Sequence, residues 1–376
     1  MKRIILLSIT LLSVLLQCGC WNYRGLNELA IASGIAIDKG NTAGTYTLTA
    51  EIVDLTTTDE GTKQKILTSE GKTIFECARN IKRKSVGKLY FSNTQLVVVS
   101  EELASTKGIY PLMDFFLRDI EAREQMNVVI FKGGMAKNAF ENTTEQRIIS
   151  YDISKIIQQD NKVSISTVNM PMYKANSVFS NAGSQLVLPA VKFSENDSKP
   201  TLEVNGVAVF KRDKIVGYLT PEETKFFLMA TDQVKGGILV SYFSPQNADN
   251  VSLEIKKSDT KRKITYENNK YKVTIKINIK AALAEIEEQS RNIDEAVLDQ
   301  IERNTEEIIV KELSALIEKV QNDFNSDIFG FGELLHKSNP KQWKEVKEYW
   351  PSKFSEIEAE IIPDVVIINA ATTKKI

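Results

Sequence analysis

The side chain best placed for a defined covalent reaction is the thiol of Cys20. It follows Lys2 and Arg3, a largely apolar run from Ile4 to Leu16, and the small residue Gly19. That order, a basic end, an apolar stretch and a small residue at a cleavage point, is that of an exported precursor. The run of thirteen residues falls short of the roughly 20 that a helix needs to cross a bilayer. The sequence therefore predicts a signal peptide over residues 1–19, with Cys20 as the new N-terminus and lipid-attachment residue. Its sulfur would carry a diacylglyceryl group, and acyl chains hold such a protein to a membrane at about 0.8 kcal/mol per buried CH₂, two or more chains being required for stable anchoring. Gln17 stands three residues before Cys20, where a leucine is usual; Cys18 would place Leu15 there but would put the bulky Gln17 at the cleavage position. An uncleaved apolar anchor and ordinary secretion are the other readings.

Little else in the chain suits chemistry. The single histidine, His336, falls between an expected helix and a turn and reads as a surface or helix-end residue. Cys77 lies on an apolar helical face and reads as core. One histidine and one remaining thiol cannot supply a zinc site, and Glu285, Glu287 and Glu288 lack the DxDxDG loop that organises oxygen ligands around calcium. No GxSxG, HExxH or SxxK motif is present, and no GxGxxG or GxxxxGK[ST] loop follows a strand. The expectation is a protein without catalytic residues, metal or cofactor. Lys261, Arg262 and Lys263 could meet anionic headgroups or guard a strand edge with charge. Trp21 and Tyr23, beside the lipid site, could seat at a bilayer interface or pack on the first domain.

The formal charge of −1 becomes −3 once Lys2 and Arg3 are removed, which gives no electrostatic case for nucleic acid. With Cys18 lost and Cys20 acylated, Cys77 alone remains, so no intramolecular disulfide can form. That usage suits a Gram-positive bacterial exterior better than a disulfide-rich secreted class.

The elements that must position these residues are mixed. Residues 28–38 and 45–55 predict two strands joined by the turn KGNTAGT, and Thr73–Arg83 a helix with Ile74, Cys77, Ala78 and Ile81 on one face. Strands follow at 95–100, 127–133 and 185–193, with helices at 111–124 and 148–159. The polar stretch 194–200 marks a boundary. Beyond it come a hairpin over 206–219 turning at Arg212 and Asp213, a helix capped by Thr220 with Pro221 at its first position, and a strand at 236–243. Residues 271–281 alternate with period two: Tyr271, Val273, Ile275, Ile277, Ile279 and Ala281 on one face, Lys272, Thr274, Lys276, Asn278 and Lys280 on the other. Asn268 and Asn269 suit the turn to strand 261–267. A helix over 294–324 carries Val297, Ile301, Ile309, Leu313, Leu316, Val320 and Phe324 as an apolar stripe that covers the dry face of this sheet. A helix opened by Asn339 and Pro340 is ended by Trp350 and Pro351, and residues 356–368 return as a last strand. The expected fold class is α+β and multi-domain, with mixed sheets and a C-terminal antiparallel sheet under a long helix. The expected divisions are an N-terminal α+β domain at 20–198, a middle hairpin-helix domain at 199–247 and a C-terminal α+β domain at 248–376.

Three segments together resemble one family. They are CWNYRGLNELAIASGIAID after the lipid cysteine, GVAVFKRDKIVGYLTPEE at the start of the second half, and NPKQWKEVKEYWPSKF before the last strand. In that order they are similar to the Ger(x)C lipoproteins, the C subunits of spore germinant receptors. Cys20 matches the family's lipidated cysteine, Trp21, Asn22, Leu26 and Glu28 the motif after it, and Gly206, Phe210, Lys211, Gly217 and Leu219 the hairpin signature. Tyr218 stands where a tryptophan is common, and the C-terminus lacks a glycine often found there. The resemblance implies three α+β domains and a non-enzymatic subunit, lipid-anchored on the outer face of the spore inner membrane. It implies as partners a permease-like B subunit and an A subunit with soluble and membrane parts; direct binding of a small-molecule germinant is left open. The alternative is a solute-binding lipoprotein of an ABC transporter, which would be expected to show two doubly wound lobes.

Overall fold

A computed structural model describes residues 2, 3, 5, 28–54, 63–141, 147–194, 201–243, 250–287 and 293–370. Cys18, Cys20, Trp21, Tyr23 and Glu288, with most of the expected signal peptide, lie outside them.

Strands β1 (Leu29–Lys39), β2 (Tyr46–Asp54), β3 (Lys63–Gly71), β4 (Lys88–Tyr90), β5 (Leu96–Ser100), β6 (Asn127–Phe131), β7 (Val187–Phe193), β8 (Leu202–Lys211) and β9 (Lys214–Leu219) form one sheet in the order β3-β2-β1-β5-β6-β7-β8-β9, with β4 beside β1. The centre, β1-β5-β6-β7, is parallel and the flanks are antiparallel. Both faces of the centre are dry, so its strands read as continuous apolar runs such as LVVVS and NVVIF rather than alternating ones. Helices Ile74–Asn80, Glu101–Thr106, Tyr110–Arg118 and Met172–Ser180 supply one covering layer, where Ile74, Cys77, Leu103 and Phe116 pack on Ile35 and Ile37. Helix Ile149–Asp160 and the short turn Asn138–Glu141 supply the other, with Ile153, Ile157 and Phe140 on Val98 and Val129.

The second sheet holds β10 (Ile238–Tyr242), β11 (Asn250–Glu267), β12 (Lys270–Ile286) and β13 (Glu358–Ala370) in that order. Asn268 and Asn269 both take positive φ, 50° and 63°, as a two-residue hairpin turn demands. The six apolar residues of the alternating stretch are all buried, and helix Glu295–Lys319 runs from β10 at one edge to β13 at the other, burying Ile301, Ile309, Leu313 and Leu316. Helices Pro221–Ala230 and Phe331–Ser338 share the covering of the dry face. The second of these turns Phe331, Leu334 and Leu335 to the core at helical spacing over only two turns, and sequence reading assigned it no range.

Several expectations change. The last strand joins parallel to β12, since it returns through a helical crossover, so the sheet is antiparallel only over its first three strands. The boundary at 198/199 does not separate sheets: β8 pairs with β7 from Phe193↔Leu202 onward, because hairpin 202–219 has Ala208 and Phe210 on the N-terminal core and Val207 and Val209 on the other. The described part of this segment, residues 201–243, therefore divides between the two sheets, with β10 in the second. Pro351 opens helix Trp350–Phe354 instead of ending a helix, its fixed φ and missing N–H suiting a first turn. The helix expected over 111–124 stops at Arg118, and the long helix is α only to Lys319, closing in a π turn Val320–Phe324 before Asn325 at φ 44°.

The Thr220 cap is a full capping box: its Oγ1 accepts from Glu223 N at 3.2 Å and Glu223 Oε2 accepts from Thr220 N at 2.8 Å. Thr220→Ala is expected to lower unfolding free energy by about 1 kcal/mol in urea titration. A change below a few tenths would show that Glu223, also paired with Lys319 Nζ at 2.6 Å, holds the helix without the cap.

Candidate functional site

The residues singled out for chemistry are dispersed. Cys77 is fully buried, its thiol pushed up to about 11 by burial and donating to Tyr46 O, which makes it core rather than nucleophile. His336 is exposed at the end of helix Phe331–Ser338, tilted against Trp343 at 5.9 Å. Glu287 is exposed and caps the end of β11, accepting from Asn250 N and Nδ2. The basic run is broken by strand alternation. Lys261 and Lys263 point to solvent, while Arg262 lies on the inner face between Thr260 and Ile264, donates to Phe329 O, and has its pKa lowered by burial. Arg262 thus cannot join either expected role for the run, and the period of two that hid it was legible in its neighbours. Among the described residues no group of three His, Cys, Asp or Glu could hold a metal ion.

The polar groups that sequence reading missed are buried carboxylates. Glu51 on β2 accepts from Ser33 Oγ, Ile149 N, Ser150 N and Ser150 Oγ, so a strand carboxylate caps helix Ile149–Asp160 across the core. Asp38 at the end of β1 accepts from Ala136 N at 2.6 Å and Lys137 N at 3.0 Å. Burial raises both carboxyls above their ordinary range against these hydrogen bonds. Asp327 is enclosed further: Phe331 N at 3.0 Å, Gly332 N at 2.8 Å and Trp350 Nε1 at 2.8 Å donate to it, Arg262 attracts it, and burial pushes it up to about 6.

Asp327 sits where the two sheets meet. Its carbonyl accepts from Gln185 N at 2.8 Å, Glu333 N donates to Gly183 O at 3.0 Å, and Ser326 Oγ donates to Phe210 O at 2.6 Å. Gly183 and Gly332 touch here: a Cβ on Gly332 would lie 2.7 Å from Gly183 Cα and from Trp350 Nε1. Beside this joint a cleft of about 390 Å³ opens between Tyr110, Phe179, residues 181–186, Arg212 and Asp213. Gln185 Oε1 accepts from Arg212 N at 2.6 Å and Ile109 N donates to Asp213 O at 2.9 Å, so its polar groups already hold the hairpin turn. Their arrangement fixes two sheets relative to one another.

Side chains of the long helix occupy part of both outer strands of the second sheet. On β13, Glu306 and Glu302, one turn apart, accept from Val365 N at 2.9 Å and Ile367 N at 2.7 Å, and Pro363 at the same edge spacing has no N–H. On β10, Asn304 Nδ2 donates to Tyr242 O and Phe243 O. A partner strand would have to displace these groups.

Fold and joint together define an α+β protein of two coupled sheets with a parallel centre in only one of them, unlike a pair of doubly wound lobes. Residues 22–193 match the description "spore germination protein N-terminal domain" and residues 205–370 match "spore germination B3/GerAC like, C-terminal". The chain belongs to this spore germination family, the Ger(x)C proteins. It is 25% identical to spore germination protein B3 of Bacillus subtilis (strain 168) over 100% of both chains, and 25% identical to spore germination protein KC of the same organism over 94% of this chain and 92% of the relative. The crystal structure of the GerBC protein superposes with a TM-score of 0.62 at 22% identity, covering 92% of this chain and 100% of that one, which is agreement in fold. The unmatched gap 194–204 coincides with the polar stretch read as a boundary, although the sheet runs across it. The signature glycines have local causes: a Cβ on Gly206 would lie 2.0 Å from Leu219 O, and one on Gly217 would lie 2.2 Å from the Phe324 ring. Tyr218 in place of tryptophan still offers an aromatic face, which Lys132 covers at 4.6 Å.

Proposed function

We propose that the chain is a non-enzymatic subunit of a nutrient germinant receptor, tethered through lipid on Cys20 to the outer face of the spore inner membrane and assembled with A- and B-type subunits. The observation that carries this reading is the ordered match of both halves to germination-protein families across nearly the whole chain. Two features support it. The hydrogen bonds of Gln185, Glu333 and Ser326 fix one sheet against the other, as suits a scaffold, and the described helices, none of them long and apolar enough to cross a membrane, are compatible with a lipid tether.

Cys20→Ser in spores of a native host tests the tether. The unchanged chain is expected to fractionate with the inner membrane and to show an acylated N-terminal cysteine by mass spectrometry. The variant is expected in the soluble fraction, with loss of germination on particular nutrients and normal nutrient-independent germination. An unacylated Cys20 in the unchanged chain would sink the anchor. Normal germination of a deletion strain on every nutrient, in a host with no second receptor, would sink the receptor role.

A further inference from the structure

From the loops around the start of β1 we infer a membrane-facing surface, which docks the folded chain on anionic lipid headgroups as a second contact beside the lipid; this rests on the proposed tether at Cys20. β4 runs parallel to β1 with Leu29 opposite Lys88, so residues 84–87 lie at the same end of the molecule as the chain arriving from Cys20. The approach is close: a Cβ on Gly87 would lie 2.5 Å from Ala30 N and Leu29 C. The turn after helix Tyr110–Arg118 reaches the same end, because Glu121 Oε1 pairs with Lys88 Nζ at 2.6 Å. Each of these two loops holds an apolar side chain out to solvent, Val86 at 86% exposure and Ile120 at 100%. An isolated exposed apolar residue needs no explanation; two of them, on loops joined by an ion pair at the tethered end, do.

Beside them Lys82, Arg83 and Lys84 are all exposed. Lys82 Nζ donates to Val86 O and Lys84 Nζ to Thr68 O, and none of the three has a carboxylate partner among the described ion pairs. Of the acidic groups nearby, Asp114 pairs with Arg118 and Glu121 with Lys88, Asp119 accepts from Glu121 N, and the exposed Glu28 and Glu124 have no cation partner among the described ion pairs. Three consecutive cations without a paired carboxylate, next to Val86 and with Ile120 at the same end, match an anionic lipid interface, where basic charge is attracted and apolar tips enter the headgroup boundary. The nine residue steps from Cys20 to Leu29 span about 30 Å at most when fully extended, which keeps this end within reach of the bilayer.

The test uses the full lipid-carrying chain in vesicles, with a fluorophore on Val86→Cys, on Ile120→Cys or, as control, on the exposed Tyr349→Cys. Buried Cys77, its thiol pushed up to about 11, resists labelling. With brominated phosphatidylcholine as the quencher in every vesicle, labels at 86 and 120 are expected to be quenched on vesicles that also contain phosphatidylglycerol, and the label at 349 not. Lys82→Glu, Arg83→Glu and Lys84→Glu together, or vesicles of phosphatidylcholine alone, are expected to cut the membrane-contacting population by at least about fivefold while the chain still floats with the vesicles. A chain that floats but leaves 86 and 120 as unquenched as 349 overturns the surface and spares the tether. Equal quenching on neutral vesicles overturns the charge argument, protection of these sites only when other receptor proteins are present moves the surface to a protein partner, and a chain that does not float overturns tether and surface together.

Discussion

Asp327→Ala is expected to lower the unfolding free energy by about 3–5 kcal/mol at pH 7.5, the scale for leaving three buried donors without their acceptor at about 1–3 kcal/mol each, part of it regained by relaxation. The change strands Phe331 N, Gly332 N and the Trp350 indole N–H, and removes the largest of three carboxylate attractions on Arg262, leaving those of Glu333 and Asp232. Because the same loop holds Gln185 N and Ser326, the loss should register in both sheets: urea transitions followed by Trp350 fluorescence and by far-ultraviolet circular dichroism should shift together. A variant within about 1 kcal/mol of the unchanged chain would show that the joint is held by apolar packing alone.

Asp327 also carries a pH signature. Its carboxyl is raised from 3.8 to about 6 by burial, so the folded chain keeps a proton that the unfolded chain has already released. The stabilisation this gives is complete below about pH 3.8 and is lost as pH rises through about 6, an amount near 2–3 kcal/mol for a shift of this size. Asp327→Asn removes the titration, so the stability advantage of the unchanged chain over this variant should shrink from pH 5 to pH 7. An advantage that grew over that interval would contradict a raised value. Glu51 and Asp38 are raised for the same reason and act in the same direction, whereas Glu358 and Glu360, lowered by Lys270 and Lys272, act oppositely and at lower pH.

What was legible in the sequence was whatever repeats locally. The alternation of residues 271–281, the asparagine pair at the turn, the Thr220 box and the helical stripe from Ile301 to Val320 each depend on neighbours within a few positions, and each stands in the structure as read. The carboxylates were not legible. Glu51 meets the helix it caps 98 residues later, and Asp327 meets Trp350 across 23, so no spacing rule could connect them. The parallel entry of β13 was hidden likewise, since a strand's composition does not state its direction. Arg262 marks the limit between the two cases. Its place on the inner face follows from period two, yet the charge run Lys-Arg-Lys reads as a unit until the partner at Phe329 is known. The proposed lipid-attachment residue, Cys20, is the reverse case, a site read entirely from order along the chain.

Gly206→Ala should cost nearly as much as losing Asp327, about 3–5 kcal/mol, through a different cause. Gly206 takes φ +72° just before β8 begins to pair with β9 at Val207, where an alanine is strained by about 1–3 kcal/mol, and the added Cβ would stand 2.0 Å from Leu219 O. That oxygen is backbone on the partner strand and cannot swing aside; relief requires β8 and β9 to part, which also pulls Gly206 O from Thr167 Oγ1 at 3.0 Å. Gly217→Ala makes the useful comparison, because its Cβ would meet only the ring of Phe324, which is half-buried on a π turn and can rotate away, for a loss of about 1–2 kcal/mol. Urea titration of both variants should place Gly206→Ala at least 1 kcal/mol below Gly217→Ala. The opposite order would mean that this hairpin is kept in register by its packing on the π turn, and that backbone conformation at residue 206 is incidental.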